Sequence, residues 1–390
     1  MKNLSFWQDV PYRPRKKLMH NLHADVAIVG GGITGVSAAY HLAKKGFRCV
    51  LVEKDVLAGG ASGKNMGLPV EGTAFDFLEM VRAIGPKYAK QWWRLTCEGR
   101  DNLISLIKRE SIGCDLKKSG SLYVGLNKKQ KVWLKKEAAE RNKHGIYCKF
   151  LDKSKLKRVI SSPFEAAIYV PNNYMLNPVK LLRGLAKKAE RRGVKIFEKT
   201  PAVKIEPRAV HTPKGIITCD RVFVALESYN YLVKAKQRGV LAIMTKPISG
   251  SSKIGWKYGR MLWENIPRYH AIRFSGNRLL ITRDISPIAS LTQKDRESAS
   301  MIRTLLKYFP SLKKKDVRIS HQWDCKVAQS SRKIFSICNV NGIWHAFGCS
   351  GQGMSQGSLA GKIIAEHFCG KSIPEVYNPE SKITMTGKTW

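Results

Sequence analysis

The stretch His23–Gly67, HADVAIVGGGITGVSAAYHLAKKGFRCVLVEKDVLAGGASGKNMG, constrains this chain more than any other. Asp25 to Val29 is an apolar run of the kind that fills a parallel strand covered on both faces. Gly30-Gly31-Gly32-Ile33-Thr34-Gly35 follows without a spacer. Val36 to Lys45 then reads as a helix closed by Gly46 at its C′ position. Arg48 to Glu53 reads as a second strand. This order makes a β-α-β unit with G-x-G-x-x-G at the strand-to-helix turn, the signature of a dinucleotide site. Gly30 serves the tight turn, Gly32 lets a pyrophosphate approach the backbone, and Gly35 lets helix and strand pack closely. Unpaired N–H groups at the helix N-terminus face the phosphates, and Glu53 at the end of the second strand accepts from ribose hydroxyls. An acid there disfavours a 2′-phosphate and so disfavours NADP. The bland alternative is a tight turn without a ligand.

A second small-residue cluster, Gly59-Gly60-Ala61-Ser62-Gly63, comes almost at once after Glu53. NAD sites do not ordinarily need one, whereas FAD is longer at its flavin end and a second loop can reach it. Gly60-Ala61-Ser62-Gly63-Lys64-Asn65-Met66-Gly67 resembles the G-A-S-G-R-N-G-G stretch of the FAD-dependent glycine/D-amino-acid oxidase superfamily. The likeness continues through Leu68-Pro-Val-Glu-Gly-Thr-Ala, the helical Lys90-Gln-Trp-Trp-Arg-Leu-Thr and, upstream, Ser5-Phe6-Trp7. These extensions look most like the branch containing gamma-glutamylputrescine oxidase. Further support comes from Tyr169–Pro178 with a helix to Arg192, from Leu279-Leu-Ile after a Gly276-Asn277 turn, and from Gly342-Ile-Trp-His-Ala-Phe-Gly348-Cys-Ser-Gly351-Gln352-Gly353-Met354 before a helix from Ser358 to Phe368.

The resemblance implies an α/β fold with a Rossmann-type FAD-binding domain intermeshed with a mixed-sheet substrate domain. The expected boundaries are 1–90, 150–228 and 322–372 for FAD, 91–149 and 229–321 for substrate, and a tail over 373–390. The implied FAD contacts are Gly30, Gly32, Ile33, Thr34, Gly35, Glu53, Lys54, Ala61, Ser62, Asn65, Met66, Gly67 and Leu68, then Val203 through its backbone at the adenine. Gly351, Gln352, Gly353 and Met354 are implied near the flavin N1–C2=O. The implied reaction is oxidation of a C–N bond in a small amine or amino acid, with hydride passing to flavin N5 and electrons onward to O₂ or another acceptor. Tyr269 and Arg273, two steps of alternation apart on a strand, are the candidates for anchoring substrate.

Three departures weigh on activity more than on cofactor binding. Leu226-Glu227 stands where the family shows Thr then Gly or Asn, and a glutamate beside a pyrophosphate is costly unless it points to solvent. Gln329-Ser-Ser-Arg-Lys-Ile replaces an apolar stretch and a turn, and Ile281-Thr-Arg283 replaces a glycine pair. A flavin-binding protein with altered or lost chemistry is therefore an alternative reading. Gly353-Met354-Ser355-Gln356-Gly357 also matches a hydrolase nucleophile elbow, but His367 follows it and no Asp does. Cys325 lies where sarcosine-oxidase relatives bind flavin covalently, with similar spacing to Ile334-Phe335; the expected reading is a small core residue. Trp92, Trp93 and Trp133 read as packing.

The chain's 390 residues, 43% of them hydrophobic, suffice for a large core. Nine cysteines without a Cys-x-x-Cys pair argue against a disulfide scaffold and against a metal site, and fit a cytoplasmic setting. No apolar stretch reads as a membrane span, and no apolar segment behind the N-terminal charges reads as a secretory signal. Lys+Arg of 69 against Asp+Glu of 29 gives a net charge of +40, a field that attracts nucleic acid or other anions. The charges are spread as doublets along the chain. A flavin oxidase acting on a modified uridine in tRNA is accordingly the less favoured alternative to a free amine.

Overall fold

The computed structural model describes residues 1–72, 75–229, 235–249, 254–257, 259–264, 269–329 and 335–378. The opening unit forms as expected: strand β1 (Leu22–Val29), helix α1 (Ile33–Lys44) and strand β2 (Cys49–Val52). All of β2 is buried, as a central parallel strand with helices on its faces must be. Gly46 at φ +91 lets the chain leave α1 and turn back into β2. The first sheet runs Ser336–Val340, Ile343–Phe347, Gly215–Val224, β1, β2, Lys195–Phe197. The last five of these pair in parallel, and only Ser336–Val340 is antiparallel. β1 therefore has later strands on both sides, and the glycine turn leaves it at the switch point where open α/β sheets bind ligands.

The second sheet has eight strands in the order Ile319–Gln329, Lys236–Thr245, Arg278–Ile285, His270–Ser275, Met261–Glu264, Ser121–Gly125, Ala166–Val170, Lys149–Asp152. Gly276 at φ +57 opens the two-residue hairpin between His270–Ser275 and Arg278–Ile285, with Ser275 opposite Arg278. Sheet membership moves the expected boundaries. Lys149–Asp152, Ala166–Val170 and Ile319–Gln329 all pair in this second sheet, although residues 150–170 and 322–329 were expected with the cofactor domain. Conversely, residues 91–109, in the longer part of the helical stretch Phe77–Arg109 after its break at Gly85, were expected in the substrate domain, yet Leu103, Ile104, Leu106 and Ile107 join the first core. Alternation sets strand existence, but which sheet a strand joins is decided by long-range pairing that no local pattern encodes.

Two further differences have local causes. The C-terminal helix runs Gly353–His367, starting before Ser358, because nothing in Met354–Gly357 breaks helical hydrogen bonding once Gln352 has turned the chain. The expected tail begins as core: Val376 and Tyr377 are fully buried, and Tyr377 Oη donates to Gln356. Residues 379–390 of that tail lie outside the described residues, as do Thr73-Ala74 and residues 330–334 of the Gln329–Ile334 departure. Ile334, the far end of the Cys325-to-Ile334 spacing, is among them.

Candidate functional site

The first glycine turn is tied to the end of β2 through Glu53. Glu53 does not hang free: its carboxylate accepts from Gly31 N at 2.7 Å and Asp55 N at 2.9 Å. Burial pushes its pKa up, and the two backbone donors oppose that rise. The carboxylate is thus fixed at the end of β2, beside the turn, where a ribose would lie. Gly35 is needed for packing alone, since a Cβ there would stand 2.0 Å from Gly30 O. It does not line the cavity; Gly30, Gly31, Gly32, Ile33, Thr34, Glu53 and Lys54 do.

The second loop folds back on the first. Ser62 Oγ accepts from Ile33 N at 3.0 Å, so the second cluster caps the first turn of α1 from outside. Asn65 then fixes the loop internally, donating to Ala61 O and Ser62 O and accepting from Gly67 N at 2.6 Å. The rest of the molecule holds its backbone carbonyls. Ser5 Oγ donates to Gly63 O, Trp7 Nε1 to Asn65 O, and Trp323 Nε1 to Lys64 O. Arg273 Nη1 donates to Met66 O, Gly67 O and Leu176 O within 3.0 Å. Arg273 is therefore not at the cavity wall. Its guanidinium is drawn under the loop, where burial pushes its pKa down to about 9. Gly67, at φ +67 and with Leu176 O 2.1 Å from any added Cβ, is structural too. Ala61, Ser62, Asn65, Met66 and Leu68 line the cavity.

A third wall is the turn Gly351-Gln352-Gly353-Met354 at the start of the helix Gly353–His367. Neither this helix nor α1 has a side-chain cap from its own N-cap residue or an acid in its first turn, so both positive dipole ends face the cavity. Glu227 meets the cost of burial with hydrogen bonds. It points inward rather than to solvent, accepting from Ala328 N, Gly348 N, Cys349 N and the Cys349 thiol between 3.0 and 3.3 Å. Three backbone donors offset the cost of burying it, although burial still pushes its pKa up. Cys325 and Cys349 line the same end, both thiols raised by burial, Cys325 to about 12. Val203 is 61% exposed and does not line the cavity, whereas its neighbours Pro201, Ala202 and Ile205 do. Ser355 is buried and donates to Val70 O at 2.9 Å, which leaves no exposed nucleophile on a hydrolase elbow.

These walls enclose a cavity of about 720 Å³ that continues beneath the second sheet. That is a volume for a cofactor-sized ligand. Its roof follows from register. One cross-strand row reads Trp323, Ala242, Thr282, Ala271, Trp263, Tyr123, and the next reads Cys325, Val240, Asp284. Small residues sit mid-row, and aromatic residues stand at the ends. Thr282 Oγ1 lies 3.3 Å from Met66 Sδ, so the small patch adjoins the second loop. Tyr269 lines this roof, hydrogen-bonded to Arg238 and close to Asp284; burial first, then Asp284, raises its pKa. Arg238 is itself ion-paired with Asp284. Beyond Trp263 the chamber ends among Phe75, Asp76, Trp93, Tyr123, Arg141 and Glu71. Sequence reading missed these and Arg238. Alternation in the strands could have flagged Tyr123 and Trp263, but helix residues such as Arg141 carry no such mark.

A glycine turn at the switch point, a fixed ribose acid, two helix N-termini without first-turn acids and a second loop extending one long cavity fit FAD. The comparisons agree. The family model described as FAD dependent oxidoreductase matches residues 25–367. The probable oxidoreductase OrdL of Haemophilus influenzae is 29% identical over 95% of this chain and 90% of its own length. The gamma-glutamylputrescine oxidoreductase of Escherichia coli is 28% identical over 91% of this chain and 86% of its own. In fold, the glycine oxidase of Geobacillus kaustophilus superposes with a TM-score of 0.76 at 17% identity, covering 94% of this chain and 99% of that one. The L-amino acid deaminase of Proteus vulgaris reaches the same score at 18% identity, over 95% and 97%. The chain belongs to the FAD-dependent oxidoreductase family.

Proposed function

We propose that this protein oxidises a C–N bond of a small amine or amino acid. The observation that carries the reading is the small, uncharged patch of Val240, Ala271 and Thr282, roofing the cavity directly beside the second loop. FAD, when bound, supplies the hydride acceptor. The turn Gly30–Thr34 and Glu53 would hold its ADP half, Ala61, Ser62, Asn65, Met66 and Leu68 its middle, and Gly351–Met354 would offer N–H groups and a helix N-terminus to the flavin end. Among the described roof residues no carboxylate is placed as an unengaged base, since Asp284 is paired with Arg238. The roof therefore orients a neutral amine, and aromatic walls exclude water from it.

Free cysteines at all nine positions support a reducing, cytoplasmic setting, and no described helix is long and apolar enough to cross a membrane. O₂ or another acceptor would take the electrons. The test is anaerobic titration of the purified flavoprotein with a panel of amines and amino acids, following flavin absorbance. Bleaching by a small amine is expected; bleaching by none of them would remove the proposal.

A further inference from the structure

The second loop is gripped from behind by the first residues of the chain. Ser5, Trp7 and Gln8 stand on one tight turn, in which Gln8 N and Asp9 N both donate to Ser5 O. Ser5 Oγ donates to Gly63 O at 2.8 Å and Trp7 Nε1 to Asn65 O at 2.8 Å. Gln8 Nε2 donates to Ala58 O at 2.7 Å and to Gly59 O at 3.1 Å. Four carbonyls of residues 58–65 are thus taken from the side away from the cavity, since Gly59, Ala61, Ser62 and Asn65 line it and no described residue before Val29 does. Ser5 and Trp7 are buried, while Leu4 and Val10 on either side are exposed. The arm is moored to both sheets. On the second sheet, Lys2 N donates to Ser320 O and Gln322 N to Lys2 O, each at 2.9 Å, and Asp9 lies 3.0 Å from His321 Nε2. On the first, Tyr12 Oη and Arg15 N donate to Glu198, just after Lys195–Phe197. Glu198 also accepts from Leu57 N, directly ahead of the loop. Beyond a single bridge between Lys2 and His321, the arm is part of neither sheet.

We propose that residues 2–18 are a clamp on the cofactor site, with Ser5, Trp7 and Gln8 as positioning residues that press the second loop against FAD and set how fast FAD leaves. The loop has one short turn of its own, Ala61–Gly63, so its place against the cavity depends on what grips it from outside. FAD meets one side of the loop and the arm meets the other, and both favour the same loop position. Each therefore strengthens the other by the same factor. A segment held by a few side-chain hydrogen bonds, and part of no sheet, can open locally while both cores stay folded. The arm accordingly closes when FAD is seated and loosens when it is gone. It lies ahead of the family-matched residues 25–367, so the clamp is an addition to the shared fold. It requires only that FAD binds, and stands whether or not the substrate is an amine.

Two measurements on the full chain test the clamp. Tryptic cleavage after the exposed Lys16 and Lys17 would be followed by mass in apoprotein and in FAD-loaded protein, with the exposed Lys135 and Lys136 on the helix Lys128–Lys143 as internal control. FAD should slow the cut in the arm by about tenfold or more, as a ligand that favours the closed state does, and leave the helix unchanged. Equal cleavage with and without FAD, or equal slowing at both places, overturns the clamp. In the second, Trp7→Phe keeps the ring but removes the Nε1–H, and Ser5→Ala removes the hydroxyl. Each should speed FAD release by about twofold to tenfold, the worth of one hydrogen bond, read from the rise of free-flavin fluorescence after dilution. The melting temperature should fall in the FAD-loaded variants and stay constant in the apoproteins. An equal fall in both forms is what a purely structural role gives, and it overturns the proposal, as does unchanged FAD release in the double variant.

Discussion

At the scale of single residues, the site shows carboxylates doing different work according to who donates to them. Glu53 is pre-aimed by Gly31 N and Asp55 N, so Glu53→Ala should weaken FAD by about 1.5–3 kcal/mol, the range for hydrogen bonds to a charged group. Titration of apoprotein with FAD reads this directly, and an unchanged affinity would place the ribose elsewhere. Asp76 predicts a pH effect of definite sign. Its carboxyl titrates near 7 in the fold against an ordinary value of 3.8, so the unfolded chain binds fewer protons in between. Asp76 therefore costs stability above about pH 7, and the cost disappears as pH falls toward the unfolded value. Denaturation of wild type and Asp76→Asn between pH 4 and 8 should show the difference between them changing across that window and flat above it. A constant difference would mean that Asp76 is not perturbed. Arg273 teaches the opposite lesson. Alternation made it a candidate for the cavity, but three backbone carbonyls hold its long side chain away from the cavity wall.

At the scale of elements, the two glycine clusters form one unit, joined where Ser62 caps the start of α1. Ser62→Ala should therefore cost about 0.5–2 kcal/mol of stability, as loss of an N-cap does, and weaken FAD as well. Chemical denaturation and FAD titration together would show it; a stability loss without any change in FAD affinity would mean that the loops are not coupled through the cofactor. How much was legible beforehand follows from the range of the interactions. β1, α1, β2 and the loop after them are written locally, by an apolar run, glycines at fixed spacing and an acid. The cavity wall at 351–354 was marked only by resemblance to the family, and the start of its helix was placed five residues late. The roof was not. Cys325, Val240, Thr282, Ala271, Trp263 and Tyr123 come from six strands, and only register across the sheet puts them side by side. How Glu227 is accommodated was hidden for a related reason. Sequence shows an acid near phosphates, but only the fold shows three backbone N–H groups converging on it from Ala328, Gly348 and Cys349.

For the whole molecule, the open quantity is a net charge of +40 on a protein whose proposed substrate site is a deep cavity. Much of that charge is on outward-facing helix surfaces, such as Lys128, Lys129, Lys135 and Lys136 on the helix Lys128–Lys143. The cavity's own arginines are matched by Glu137, Asp284 and Glu297. A field of this kind draws polyanions to the surface without sequence preference, and its grip falls steeply with salt. A working tRNA site would behave differently, because a modified base would have to enter the same chamber as the amine. At about 150 mM salt the Debye length is only about 8 Å, so surface attraction is largely screened while a specific complex would survive. The rate of flavin reduction by the best small amine, measured with and without tRNA at that ionic strength, separates the two. Unchanged rates are expected, with inhibition emerging only as salt is lowered. Strong inhibition at 150 mM, or flavin reduced only by modified tRNA, would transfer the function to RNA and make the basic surface part of the active site's reach.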